Sequence, residues 1–202
     1  MGQSRMTLLG VGLGALLLLA GCATQAMYVD PSGNQLVTNV GKINIQDFSN
    51  AADTMVASLI DNVINPGKLQ SAVPAEPALL AISRITNNTG SQLDTDLLIK
   101  KIRVALLRTG RIQTTTAMGI GAPEDPMAAD QAKAQAFLND KTPMRMPDYT
   151  LSGKIIEDRS RAGSMRQSAF VFQLSLSSPK GVAVWEEEKT IVKQGERPTV
   201  GF

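Results

Sequence analysis

Histidine is absent from this sequence, and cysteine occurs only once. Without histidine, the chain lacks the side chain that most often serves proteins as a general base and as a zinc ligand. A single cysteine excludes an internal disulfide, a Cys–His dyad and a thiolate cluster. Carboxylate, Ser–Lys and Mg²⁺ chemistry stay open, so the range of possible enzyme mechanisms is narrow.

The chain also lacks an excess of charge of either sign. It has 20 Lys and Arg against 18 Asp and Glu, for a formal net charge of +2. Proteins that bind nucleic acid normally carry a basic surface that neutralises phosphates, so we expect no nucleic-acid partner. A length of 202 residues with 43% hydrophobic residues suits one globular domain and is short for two.

The N-terminus has the pattern of a bacterial lipoprotein signal. Arg5 provides a positive start, and residues 8–19 form an apolar run broken only by glycine. This run is shorter than the about 20 residues that span a membrane as a helix. It ends in Leu-Ala-Gly-Cys, which resembles the lipobox of lipoproteins. The resemblance implies cleavage after Gly21 and attachment of fatty-acyl chains, such as palmitate, to Cys22.

The signal divides the chain into three predicted parts. Residues 1–21 are the signal peptide, residues 22–42 are the lipidated N-terminus and tether, and residues 43–202 form the domain. Ala23 rather than aspartate follows the cysteine. In the sorting rule of such lipoproteins, this implies the outer membrane, with the domain facing the periplasm and several acyl chains holding it there.

The predicted domain alternates between helical and strand patterns. Asp47 or Ser49 could cap a helix that runs to about Ile64, and Asp94 could cap a second helix over Thr95–Thr109. The other predicted elements are a third helix at residues 127–138 and strands at residues 78–86, 111–116, 149–157, 169–177 and 182–193. This order predicts an α+β fold: a single domain with helices packed on a mixed, mainly antiparallel sheet.

Two patterns could belong to an enzyme. Ser177 and Lys180 have the S-x-x-K spacing of penicillin-recognising enzymes, but these require a helix, and Pro179 here favours a hairpin turn. Asp94 and Asp96 could form a carboxylate pair, although such residues usually favour the positive end of a helix. We therefore predict no catalytic residue, no metal, no cofactor and no enzyme activity.

Two charged clusters could bind a partner. Arg159, Arg161 and Arg166 flank Gly163 in a predicted loop between two strands. Three guanidinium groups on an exposed loop could bind an acidic partner or an anionic glycan; the alternative is a plain solvated loop. The glutamates at residues 186–188 are interpreted as a solvated strand edge, where charge prevents the edge from pairing with strands of other molecules.

Five further segments follow one another in a distinctive order. They are Asn44 to Phe48, Ile82 to Thr89, Asp94 to Arg111, Asp148 to Gly153, and Val184 to Glu186. Together they resemble the penicillin-binding protein activator LpoB family over about residues 43–194. The resemblance implies a fold similar to the N-terminal domain of TolB, in an outer-membrane lipoprotein without catalysis of its own.

The resemblance also implies a partner and a role. Members of the family bind a bifunctional penicillin-binding protein and stimulate its two activities, and they thereby regulate peptidoglycan synthesis in the cell wall. The best-known members have a long, proline-rich tether. Here about 20 residues separate Cys22 from Gly41, which reach at most roughly 70 Å when stretched.

Two other functions remain open from the sequence. The first is a structural or secretion-associated lipoprotein of the curli-secretion-related fold group, which would need strands that face lipid. The second is an enzyme that acts on glycan or lipid through carboxylates alone. That enzyme would require Asp94, Asp96 and Asp148 to converge in one deep pocket.

Overall fold

The computed structural model describes residues 27–31, 33, 37–115 and 145–196, together with residues 130, 133, 134 and 137. The chain divides into two units, Met1–Gln35 and Leu36–Phe202. In the first unit, the backbone N–H of Gly33 donates to the carbonyl of Asp30 at 3.0 Å and closes a turn. The boundaries predicted at residues 22 and 43 stay predictions.

The second unit has the predicted order of elements. The helices are α1 (Ile45–Leu59), continued by a π-helical turn (Ile60–Ile64), and α2 (Thr95–Leu107), and the strands are β1 (Ala78–Asn88), β2 (Ile112–Thr114), β3 (Tyr149–Ala162), β4 (Met165–Ser177) and β5 (Ala183–Glu196). The helix predicted at residues 127–138 lies mostly outside the described residues. The four residues described there are helical.

The five strands form one mixed sheet in the order β2-β1-β3-β4-β5. β1 pairs parallel with both β2 and β3. β3, β4 and β5 form a long antiparallel meander. The prediction of a single α+β domain with a mixed, mainly antiparallel sheet is confirmed.

The core lies between the two helices and one face of this sheet. Alternate residues of β4 point into it, as the period of two along a strand requires; they are Phe170, Phe172, Leu174 and Leu176. α1 contributes Phe48, Met55 and Leu59, and α2 contributes Leu98, Ile102 and Leu106. The rings of Phe48 and Phe172 meet edge to face, with their centroids 6.5 Å apart.

The first helix begins with a cap that differs from the predicted one. The side chain of Asn44 accepts a hydrogen bond from the amide of Asp47 at 2.9 Å, and the Asp47 carboxylate accepts one from the Asn44 amide at 2.8 Å. This reciprocal capping box begins the helix at Ile45, so the predictions of Asp47 or Ser49 as the cap were wrong. Asp94 caps α2 as predicted.

An ion pair between a buried aspartate and a half-buried arginine lies at the start of the sheet. The carboxylate of Asp148 accepts hydrogen bonds from the amides of Leu79 and Ala72 at 2.8 and 2.9 Å. It also pairs with the guanidinium of Arg145 at 2.9 Å. Arg145 contacts Glu76 at 2.6 Å as well. One network therefore joins the loop before β1 to the residues that lead into β3.

The same loop contains a residue in an unfavourable backbone conformation. Ala75 is exposed and has a φ of 68°, in the left-handed region where a Cβ is unfavourable. We expect Ala75→Gly to raise the free energy of unfolding by up to about 1 kcal/mol, since relief of strain outweighs the extra freedom of the unfolded chain. Urea denaturation measures the change.

The matched control is Ala72→Gly in the same loop. Ala72 is exposed and has no positive φ, so glycine relieves nothing there and only loosens the unfolded chain. We expect this variant to lose roughly 0.5–1 kcal/mol. Two variants that change stability in the same direction would show that the conformation of Ala75 is not strained.

Candidate partner-binding site

The three arginines of the predicted loop lie on strands instead. Arg159 and Arg161 belong to β3 and Arg166 to β4, and only Gly163 and Ser164 form the turn. Gly163 has a φ of 58°, which a tight hairpin turn requires. The prediction of a loop was wrong because pairing along the whole of β4 extends the strand through a polar stretch that has little strand propensity of its own.

Arg161 and Arg166 face each other across the two strands. They are direct partners in the register of β3 and β4, which brings their Cβ atoms to about 5 Å from each other. Arg161 donates to the carbonyl of Gly163 at 3.2 Å. Within the described part of the chain, neither arginine has an acidic partner. Two like charges therefore stand side by side without compensation.

Arg159, in contrast, is held in place by an acid. Its Nε and Nη2 contact the two carboxylate oxygens of Glu157 at 2.6 and 2.8 Å. The side chain of Glu157 is only 4% exposed, and it also accepts a hydrogen bond from the amide of Gly90 at 2.8 Å. Arg159 is therefore a less available binding group than its two neighbours.

The pair shifts the titration of both groups. The hydrogen bond from Arg159 lowers the pKa of Glu157 despite the opposing effect of burial, and the amide of Gly90 adds to it. The same contact raises the pKa of Arg159. We did not predict this pair from the sequence. The signal was available, because residues two apart on a strand lie on the same face.

A groove lies beside these arginines. Its second wall is the segment Thr38–Gly41, which we call the strap, and its volume is about 660 Å³. The other lining residues are Arg159, Ser160, Arg161, Arg166, Gln167, Ser168, Gly195 and Glu196. The sequence placed the strap in the tether, and no local pattern there predicts that it packs against the sheet.

Two contacts hold the strap on β5. Val40 lies over Gly195 so closely that a Cβ on the glycine would be 2.6 Å from the Cγ2 of Val40. Just beyond the strap, the carbonyl of Lys42 accepts a hydrogen bond from the Nζ of Lys193 at 3.0 Å. Lys193 in turn forms an ion pair with Asp47 at the start of α1.

The carboxylates proposed for an enzyme do not converge. Asp94 caps α2 just after the end of β1, where it accepts from the amide of Asp96 at 2.9 Å. Asp148 binds Leu79 at the start of β1. Nine residues of strand separate Leu79 from Asn88, or about 30 Å. The convergence of these three acids that the carboxylate-enzyme alternative requires is therefore not found.

The other sequence candidates have ordinary structural roles. Ser177 ends β4, and Lys180 lies in a turn in which the amide of Gly181 donates to the carbonyl of Ser178 at 2.9 Å, so the prediction of a turn is confirmed. Glu186 and Glu188 are exposed on the edge strand. Among the described residues, no group of three acids, histidines or cysteines could hold a metal ion.

Gly21 and Cys22 lie outside the described residues, so the predicted cleavage and lipidation stay predictions. In the part of the chain that is described, no helix is long and apolar enough to cross a membrane.

A family model for the peptidoglycan-synthase activator LpoB matches residues 47–191. This chain belongs to the LpoB family. The matched region contains α2, all of α1 except its first two residues, most of the sheet and all three arginines. The general role of the family is activation of a peptidoglycan synthase. No curated protein matches the chain.

Several solved structures are similar to this chain. The C-terminal domain of LpoB from Escherichia coli is 16% identical with a TM-score of 0.43, and the match covers 72% of this chain and 98% of that one. Lipoprotein GNA1162 from Neisseria meningitidis is 13% identical with a TM-score of 0.33, covering 58% and 84%. The PelC dodecamer from Paraburkholderia phytofirmans is 23% identical with a TM-score of 0.30, covering 62% and 79%.

Proposed function

We propose that this protein is a lipoprotein of the outer membrane that binds a bifunctional penicillin-binding protein and activates it without catalysing a reaction itself. The observation that carries the proposal is the family match over residues 47–191. The sequence adds the Leu-Ala-Gly-Cys pattern that ends at Cys22. These two features together support a role in regulating peptidoglycan synthesis in the periplasm.

Activation of this kind couples the binding of the activator to the equilibrium between two states of the synthase. An activator changes its partner only when it binds the active state of the synthase more tightly than the inactive state. The end of the β3–β4 hairpin, with its exposed Arg161 and Arg166, is the surface that we assign to this contact. Guanidinium groups recognise carboxylates through paired hydrogen bonds, which gives such a contact a defined geometry.

The mature protein without its lipid, residues 23–202, tests the activity. Added to a purified bifunctional penicillin-binding protein, it should raise the rate of glycan polymerisation by about fivefold or more, at the lower end of ordinary allosteric coupling. A monofunctional synthase from the same organism serves as the control and should not respond. If the protein stimulated none of the bifunctional synthases of that organism, the proposal would be rejected.

The anchor is tested separately at Cys22. Mass spectrometry of the native protein should find an N-terminal peptide that begins at Cys22 and carries acyl chains. In Cys22→Ala, we expect the membrane-bound fraction to fall by at least about tenfold, because the acyl chains supply the affinity for the membrane. An unmodified N-terminus at Met1 in the native protein would contradict the anchor.

A further inference from the structure

The groove between the strap and the hairpin end combines features that ordinary surface grooves lack. One wall carries Arg161 and Arg166 side by side, and the other wall is the strap, which bends in a turn at Val40 and Gly41. Placing like charges directly opposite each other on a sheet is unfavourable, so the arrangement lowers the stability of the folded protein. An anion between the two guanidinium groups would relieve this repulsion.

The fixed charges around the pair leave it uncompensated. Arg159 is already neutralised by Glu157, and Lys193 is paired with Asp47. Among the described residues, Glu196 is the one acid that lines the groove. Its register partner is Met165, whereas Arg166 is opposite Gly195, so Glu196 points to the other face of the sheet. Of the basic residues described in the groove lining, only Arg161 and Arg166 therefore remain without an acidic partner.

We propose that the groove binds an extended acidic peptide segment of the partner protein, with one carboxylate held between Arg161 and Arg166. The inference rests on the proposed function for the identity of that partner as a synthase. The groove volume of about 660 Å³ gives room for a short peptide segment. Planar carboxylates match the fork of donors on each guanidinium group.

The strap takes part in binding as the second wall. Its position depends on the missing side chain at Gly195, because Val40 occupies the space that a Cβ would need. Any side chain at residue 195 pushes the strap away from the sheet and changes the width of the groove. Gly195 does not have a positive φ, so its backbone conformation is open to other residues. A variant at this position therefore alters packing without straining the backbone.

Charge reversal at one arginine is the first test. Arg166→Glu replaces the like-charged pair with an opposite pair, so the melting temperature should rise by about 2–4 °C. Binding of a fluorescent hexaglutamate peptide, measured by anisotropy at low salt, should weaken at least about tenfold. A gain in stability together with a loss of binding cannot result from unfolding.

The matched control is Arg84→Glu. Arg84 is exposed on β1, and its substitution changes the net charge by the same amount at a distant position. Hexaglutamate should bind this variant like the unaltered protein. The proposal is overturned if the peptide does not bind the unaltered protein, or if both variants weaken binding equally. The proposal is also overturned if soluble peptidoglycan fragments bind and the peptide does not. That result would indicate a glycan ligand.

Substitution at the strap is the second test. Gly195→Ala should weaken hexaglutamate binding several-fold with no change in charge. The double variant Gly195→Ala with Val40→Ala should restore it, because the Cβ of Val40 is 4.0 Å from the added methyl group once Cγ2 is removed. If Gly195→Ala bound the peptide as tightly as the unaltered protein, the strap would take no part in binding.

The outcomes separate this inference from the proposed function. If hexaglutamate binds as described but no synthase is stimulated, the function is rejected and the acidic-peptide site stands. If a synthase is stimulated equally by the unaltered protein and by Arg166→Glu, the function stands and this groove is not the contact.

Discussion

Replacing Asp148 with alanine is expected to lower the free energy of unfolding by about 2–4 kcal/mol. The carboxylate is only 5% exposed and serves three donors at once: the amides of Leu79 and Ala72 and the guanidinium of Arg145. Alanine leaves the buried amide of Leu79 and the half-buried amide of Ala72 without this acceptor, while Arg145 keeps its contact with Glu76. Urea denaturation monitored by circular dichroism measures the loss.

Asp158→Ala is the control for this change. Asp158 is exposed on β3, so the same substitution should alter stability by less than about 0.5 kcal/mol. The stability of Asp148→Asn should lie between those of the two alanine variants. The side-chain amide keeps one acceptor oxygen, but its NH₂ group faces other donors. If Asp148→Ala were as stable as Asp158→Ala, the network would not contribute to folding.

The same carboxylate makes stability depend on pH. Burial by itself raises the pKa of Asp148, but the hydrogen bonds from the two amides and from Arg145 outweigh it and hold the pKa below its usual 3.8. The carboxylate is therefore ionised more readily in the folded protein than in the unfolded chain. Its contribution is complete above the unfolded pKa and is lost as the pH falls through the folded pKa.

Acid denaturation measures this dependence. The unaltered protein should lose stability below about pH 4 more steeply than Asp148→Ala, in which the group no longer titrates. Glu157, whose pKa is also lowered, adds to the loss in both proteins. Parallel pH profiles for the two proteins would contradict the assignment to Asp148.

The second large effect is expected at Phe172, which is 1% exposed in the centre of the core. Phe172→Ala should lower the free energy of unfolding by about 3–5 kcal/mol, because it removes a buried ring and leaves a cavity. The edge-to-face contact with Phe48 is lost as well. Thermal unfolding and urea denaturation should agree on the size of the loss.

Phe137 provides a control of the same residue type. Its side chain is 89% exposed, so Phe137→Ala should change stability by less than about 0.5 kcal/mol. A loss at Phe137 as large as that at Phe172 would mean that the exposed ring is covered in solution. In that case Phe137 would be buried in the folded protein and would not be a control for Phe172.

Local sequence patterns were sufficient for most of the elements. The spacing of Met55 and Leu59, and that of Leu98 and Ile102, predicted the buried faces of the two helices correctly. Alternation along β4 predicted which side chains enter the core. These patterns work because burial follows the period of each element, and the period depends on the backbone alone.

Other features depend on residues distant in the chain. The capping box at Asn44 competes with two other possible caps, and only the folded helix shows which one is used. The strand residues from Asp158 to Ala162 form a strand because β4 provides hydrogen-bonding partners. The strap packs on Gly195, more than 150 residues away, through contacts that no local pattern contains.

The sequence by itself determined the class of fold, the order of the elements, the family and the prediction of a lipid anchor at Cys22. Each of these depends on periodicity or on a contiguous motif. Only the tertiary structure decided that Arg159 is neutralised while Arg161 and Arg166 are not, and that a groove lies beside them. The reason is physical: the availability of a charge depends on which groups surround it in space.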